Sequence, residues 1–151
     1  MNRNTFIQAT VLALSVTFAM GSAAQTAAPA KAQTGAPAKA KVVIQVSDGD
    51  AARWNMALNN AKNVQDELGA GNVDIEIVAY GPGIGMLKAD AILSNRIIEA
   101  TTAGVQVVAC ENTMTVQKII KADMNPVIGY VRAGVVQLMN RQREGWAYIR
   151  P

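Results

Sequence analysis

Between Lys41 and Pro151 the chain alternates short apolar runs with longer stretches in which apolar positions recur three and four apart. Lys41-Val42-Val43-Ile44-Gln45-Val46 is a nearly continuous β-branched run, the pattern of a strand covered on both faces. Ser47-Asp48-Gly49-Asp50 ends it, and Asp50 can cap a helix on which Trp54, Ala57, Leu58, Ala61, Val64 and Leu68 form one stripe. Gly69 and Gly71 stop that helix. Val73 to Ala79 predicts a second strand, polar on one face at its start, and Tyr80 to Gly85 a loop. Asp90 opens a second helix through Leu93, Ile97 and Ala100, ended by Gly104. Val105 to Ala109 predicts a third strand, and Asn112 or Thr113 can cap a helix carrying Val116, Ile119 and Ile120. Asn125-Pro126 breaks the chain before a fourth strand at Val127 to Val131. A last helix over Ala133 to Arg143 stops at Gly145, and Trp146 to Ile149 can add a fifth strand.

Strands alternating with helices of this length predict a single α/β domain of three layers, a parallel sheet with helices on both faces. In such sheets the loops leaving the carboxyl ends of the strands share one edge, where ligands bind. That edge would gather Ser47 to Asp50, Tyr80 to Gly85 and Cys110 to Asn112.

The N-terminal pattern differs. Arg3 precedes an apolar run from Ala9 to Met20, and small residues at Ser22 and Ala24 suit cleavage after Ala24, so residues 1–24 read as an export signal. The run is shorter than the roughly 20 residues that span a bilayer, and no membrane association is expected after cleavage. From Gln25 to Ala40 the composition is Ala, Pro, Lys, Thr, Gln and Gly, with Ala-Pro-Ala-Lys-Ala written twice, as in a flexible tether. The domain that follows, residues 41–151, carries 11 basic and 11 acidic side chains, so the net charge of +3 belongs to the signal and tether. A near-neutral domain lacks the clustered positive surface that nucleic-acid binding needs.

The chain has one cysteine and no histidine. Missing histidine excludes Cys-His and Ser-His-Asp nucleophiles, and a lone cysteine excludes a Cys-x-x-Cys redox pair or zinc site. No cofactor is expected. Cys110 follows a strand and precedes a helix start, where backbone N–H groups and the helix dipole lower a thiol pKa, while Glu111 beside it acts in the opposite sense. The alternative is a small buried hydrophobe. Gly81, Gly83 and Gly85 allow close backbone approach but match neither the dinucleotide fingerprint nor the phosphate loop, and a tightly packed turn is the simpler account of them. Asp48-Gly49-Asp50 lacks the remaining ligands of a calcium loop and reads as helix capping. Cys110 and Met114, four apart, are soft ligands that can face one another toward Cu(I), against the simpler assignment of Met114 to the core. Lys118, Lys121 and Arg141-Gln142-Arg143-Glu144 read as solvated faces, and Trp146 and Tyr148 as packing or subunit contacts.

Four segments together resemble the DsrE/DsrF-like family: Val42 to Asp48, Ala79-Tyr80-Gly81-Pro82-Gly83, Val107-Val108-Ala109-Cys110-Glu111-Asn112-Thr113, and Gly134 through Ile149. The likeness is to its exported, periplasmic branch. It implies a five-stranded, mainly parallel sheet and homo-oligomers, often trimers or hexamers. In the family's sulfur-relay members a cysteine after a central strand takes sulfane sulfur as a persulfide and hands it to a partner, and Cys110 looks like that position. The first expectation is therefore a sulfur carrier with a donor or acceptor protein as partner. In it Cys110 reacts, Asp48, Tyr80, Gly81, Gly83, Glu111 and Asn112 line the site, and backbone N–H groups near Asn112 and Gly83 hold the thiolate. The second is a non-enzymatic oligomer binding a small ligand at the same edge, with Cys110 merely lining it.

Overall fold

The computed structural model describes residues 38–151, so the expected export signal, residues 1–24, and all but the end of the expected tether lie outside the described residues. Five strands, β1 (Ala40–Val46), β2 (Val73–Ala79), β3 (Gln106–Cys110), β4 (Gly129–Val131) and β5 (Ala147–Ile149), form one sheet. Its order is β4-β3-β2-β1-β5 and every pairing is parallel. The α-helices are α1 (Ala51–Leu68), α2 (Ser94–Thr102), α3 (Glu111–Gln117) and α4 (Gly134–Arg143).

Strand order dictates the layers. From β1 to β4 the chain steps one way across the sheet, so right-handed crossovers put α1, α2 and α3 on one face; β5 returns beside β1, which sends α4 to the other. The first face holds the larger core, with Ile44, Ile75, Ile77 and Val107 packed under Leu58, Ala61, Ile97 and Met114. The second is thinner, built from Val43, Val78, Val108, Leu138 and Trp146. Both edge strands have only three residues, which limits edge-to-edge pairing.

Several expected boundaries hold. Asp50 caps α1, its Oδ1 accepting from Ala52 N at 2.9 Å, and Gly69 ends it at φ 86°. Others move. Helix α2 starts at Ser94 rather than Asp90, because residues before it are engaged elsewhere: Lys88 bridges Met124, and Ala89 N donates to Asp123 O at 2.9 Å. Neither Asn112 nor Thr113 caps α3, since the N-cap residue is Cys110 itself. That helix ends at Gln117, where Lys118 turns left-handed at φ 56°. Ile119 then packs on the core while Val116 and Ile120 stay exposed, so the expected stripe is broken.

The polar face expected at the start of β2 is also corrected. Glu76 is 1% exposed. Its carboxylate accepts from Arg141 Nε at 2.5 Å and from Gln137 Nε2 at 2.9 and 3.1 Å, both on α4. Arg141 is thus not part of a solvated face: it also donates to Glu144 Oε2 at 2.9 Å and lies over the Trp146 ring, 4.5 Å from its centroid. Its guanidinium pKa is raised, first by the hydrogen bond to Glu76. Lys121 stays on the solvated surface as expected, where it pairs with Glu111 at 3.0 Å and sits over the Tyr130 ring.

Candidate functional site

Cys110 is the last residue of β3, and its pairing with Val131 decides its surroundings. Val131 is the last residue of β4, so the turn that follows, Arg132 to Gly134, is drawn over the sulfur and α4 starts beside it. A Cβ on Gly134 would stand 3.3 Å from Cys110 Cβ and 3.1 Å from Tyr80 Cβ, a fit that only glycine allows without displacement. The starts of α3 and α4 therefore converge on one thiol. Ala133, the N-cap of α4, makes no side-chain cap bond, which leaves that helix start without its own acceptor.

The thiol itself is 5% exposed, and in its protonated form it reaches the Arg132 carbonyl at 3.9 Å. Burial raises its pKa, but the Thr113 hydroxyl and the backbone N–H groups of Gly134, Thr113 and Asn112 together outweigh burial, and the net shift is downward. Thr113 is prepared for this. Its Oγ1 accepts from Gly81 N at 3.0 Å, leaving the hydroxyl proton for the sulfur. Gln117 fastens the same loop by donating to Gly81 O at 3.1 Å, and Gly81 takes φ 54° to allow both contacts. Valine at 113 keeps the shape and removes the hydroxyl, so Thr113→Val is expected to raise the midpoint of the alkylation-rate profile against pH. In the native chain that midpoint is expected below the ordinary thiol value, and an unmoved midpoint in the variant would contradict this account.

The remaining sequence-derived residues divide. Tyr80, Gly81 and Asn112 stand at the thiol or touch what holds it; Asn112 N donates to Arg132 O at 3.1 Å and fixes the covering turn. Glu111 is adjacent but its charge is taken up by Lys121. Gly83 lies elsewhere: its N–H donates to Tyr80 O at 3.1 Å, a Cβ there would run into the Val46 carbonyl, and it is not among the groups that lower the thiol pKa. Asp48 leaves the site entirely, at the end of β1 two strands away, where it pairs with Arg150 at 3.7 Å and its carbonyl accepts from Trp54 Nε1 at 2.6 Å. Met114 packs in the larger core on the opposite face of the sheet, apart from the sulfur. Among the described residues no three or more Cys, Asp or Glu side chains stand together as a metal site. Sequence reasoning missed Gly134 and the Thr113 hydroxyl. The available signal was a helix start written Ala-Gly, with no capping side chain.

The sequence profile of the DsrE/DsrF-like family matches residues 40–151. The chain belongs to that family. Among solved structures it is similar to the protein of unknown function MTH1491 from Methanobacterium thermoautotrophicum, at 34% identity and TM-score 0.72, over 75% of this chain and all of that one. Two further solved structures share the fold alone. BT1422 from Bacteroides thetaiotaomicron has 18% identity and TM-score 0.60, over 74% of this chain and 94% of its own. The ychN protein from E. coli has 12% and 0.59, over 76% and 99%. No curated protein matches the chain. The DsrE/DsrF-like assignment confirms the expected α/β fold, and the sheet is wholly rather than mainly parallel.

Proposed function

We propose that this protein is a sulfur carrier that holds sulfane sulfur on Cys110. The observation that carries the reading is the placement of the single thiol at the junction of two helix starts, where hydroxyl and backbone N–H groups favour the thiolate, the form that attacks a persulfide. The step balances without an oxidant. The Cys110 thiolate attacks the outer sulfur of a donor persulfide, the donor's S–S bond breaks, and the donor leaves as a thiolate, with Cys110 now bearing S–SH. In the onward step an acceptor thiolate attacks the outer sulfur of the Cys110 persulfide, the S–S bond breaks, and the same N–H groups stabilise the Cys110 thiolate that leaves. Cyanide tests the loaded state, since it removes a sulfane sulfur as thiocyanate and regenerates the thiol. After incubation with a persulfide donor and desalting, native protein should release thiocyanate; release from Cys110→Ser at the same level would sink the proposal.

The N-terminal pattern supports an exported, periplasmic location for this activity. Assembly into a homo-oligomer is supported by α4, whose Val135, Val136 and Met139 are exposed on a helix that alone covers its face of the sheet. Val136→Glu is accordingly expected to lower the mass seen by light scattering to that of a monomer; an unchanged mass would remove α4 from the interface.

Burial of the sulfur favours a second reading, a non-enzymatic protein that binds a small ligand at the same strand ends. It predicts that ligand affinity survives Cys110→Ser and that no sulfur is carried.

A further inference from the structure

A second, unrelated site lies between α1 and α2. The cavity there has a volume of about 350 Å³ and an apolar floor made by Leu58, Ala61, Ala100 and Val105. That size lies at the small end of ligand pockets. Two charged side chains of α2, Arg96 and Glu99, line it. One turn apart on a helix they are placed to pair, yet neither forms an ion pair with any group among the described residues.

The reason is visible on α1. Arg96 Nη1 donates to Asn55 Oδ1 at 2.6 Å and Nη2 to Asn59 Oδ1 at 2.8 Å. Asn55 is itself fixed by Nδ2 donating to Ala51 O at 3.1 Å, which turns its oxygen toward the guanidinium. Two neutral amides thus brace the fork without cancelling its charge, and three of its five N–H donors have no partner among the described residues. The other charges on the rim, Lys62 and Asp66, neutralise each other at 2.6 Å. What remains is one positive and one negative group, both uncompensated, over an apolar floor.

We propose that this cavity binds a small zwitterion with an apolar body, the chemistry of an aliphatic α-amino acid. The ligand carboxylate meets Arg96, its ammonium meets Glu99, and its side chain covers Ala61 and Ala100. A rigid, pre-charged guanidinium favours a carboxylate over a neutral acceptor, and Glu99 discriminates against ligands with an anion alone.

Calorimetric titration of the full chain with L-leucine, and with 4-methylpentanoate, which has the same skeleton without the amine, tests the site. Leucine is expected to bind saturably and more tightly than 4-methylpentanoate. Arg96→Gln should weaken leucine by about tenfold or more, the loss of one charge-assisted contact. Glu99→Gln should weaken leucine and strengthen 4-methylpentanoate, narrowing the gap between them, since the charge that opposes a lone anion is gone. Glu99 is exposed and its side chain makes no hydrogen bond among the described residues, so this variant keeps the fold even if Arg96→Gln does not. No saturable leucine binding, equal binding of the two compounds, or leucine affinity unchanged in Glu99→Gln would overturn the proposal.

Discussion

Arg141→Ala is expected to destabilise the fold by about 3 kcal/mol, near the lower end of what is measured when one partner of a buried ion pair is removed. The arithmetic follows from asymmetry. The Glu76 side chain is 2% exposed and that of Arg141 23%, so the variant leaves a carboxylate buried with only the Gln137 amide to satisfy it. Those two remaining hydrogen bonds keep the loss from being larger, and the packing of Arg141 over Trp146 is forfeited as well. Urea unfolding followed by circular dichroism measures the difference; a loss below about 1 kcal/mol, the range of exposed pairs, would show that the pair is not buried in solution. The double variant Glu76→Leu, Arg141→Met should recover most of the loss, because an apolar pair carries no desolvation cost. Since α4 brings Gly134 to Cys110, Arg141→Ala should also slow alkylation of the thiol at neutral pH.

Gly83→Ala should cost about 2–4 kcal/mol, although it adds one methyl group to a loop. The added Cβ would overlap the Val46 carbonyl oxygen, with Val46 C at 2.7 Å and Ser47 N at 3.0 Å, and none of these atoms can swing aside. Relief requires β1 and the Gly81 loop to separate, which also withdraws the Gly81 N–H from Thr113. Gly71→Ala is the control: a Cβ there has nothing within 4 Å, and its unfolding midpoint should stay close to that of the native chain. Equal midpoints for Gly83→Ala and the native chain would contradict the close approach.

The strands were the most legible part of the sequence, because a parallel sheet buried on both faces leaves continuous β-branched runs such as Val42 to Val46. Helix starts were less so. Asp90 has the right chemistry for a cap, but tertiary pairing of residues 88 and 89 with 123 and 124 overrides it. Glu76 and Arg141 were misread for a related reason: each looks solvated alone, and only the return of β5 beside β1, which puts α4 over β2, brings them together. The site was legible only as a shared edge: the loops leaving the strand ends gather there, but Asp48 stands past the end of β1, beside Arg150. Cys110 is two strands away, and its activating groups come from the Cys110–Val131 register, a long-range pairing that no local motif encodes.

Intact-mass spectrometry after brief exposure to a persulfide donor tests the central claim most directly, since the chain has a single thiol. The native protein should gain the mass of one sulfur atom, removable by reductant, and Cys110→Ser none. A native protein whose mass does not change would show that the buried thiol carries no sulfur.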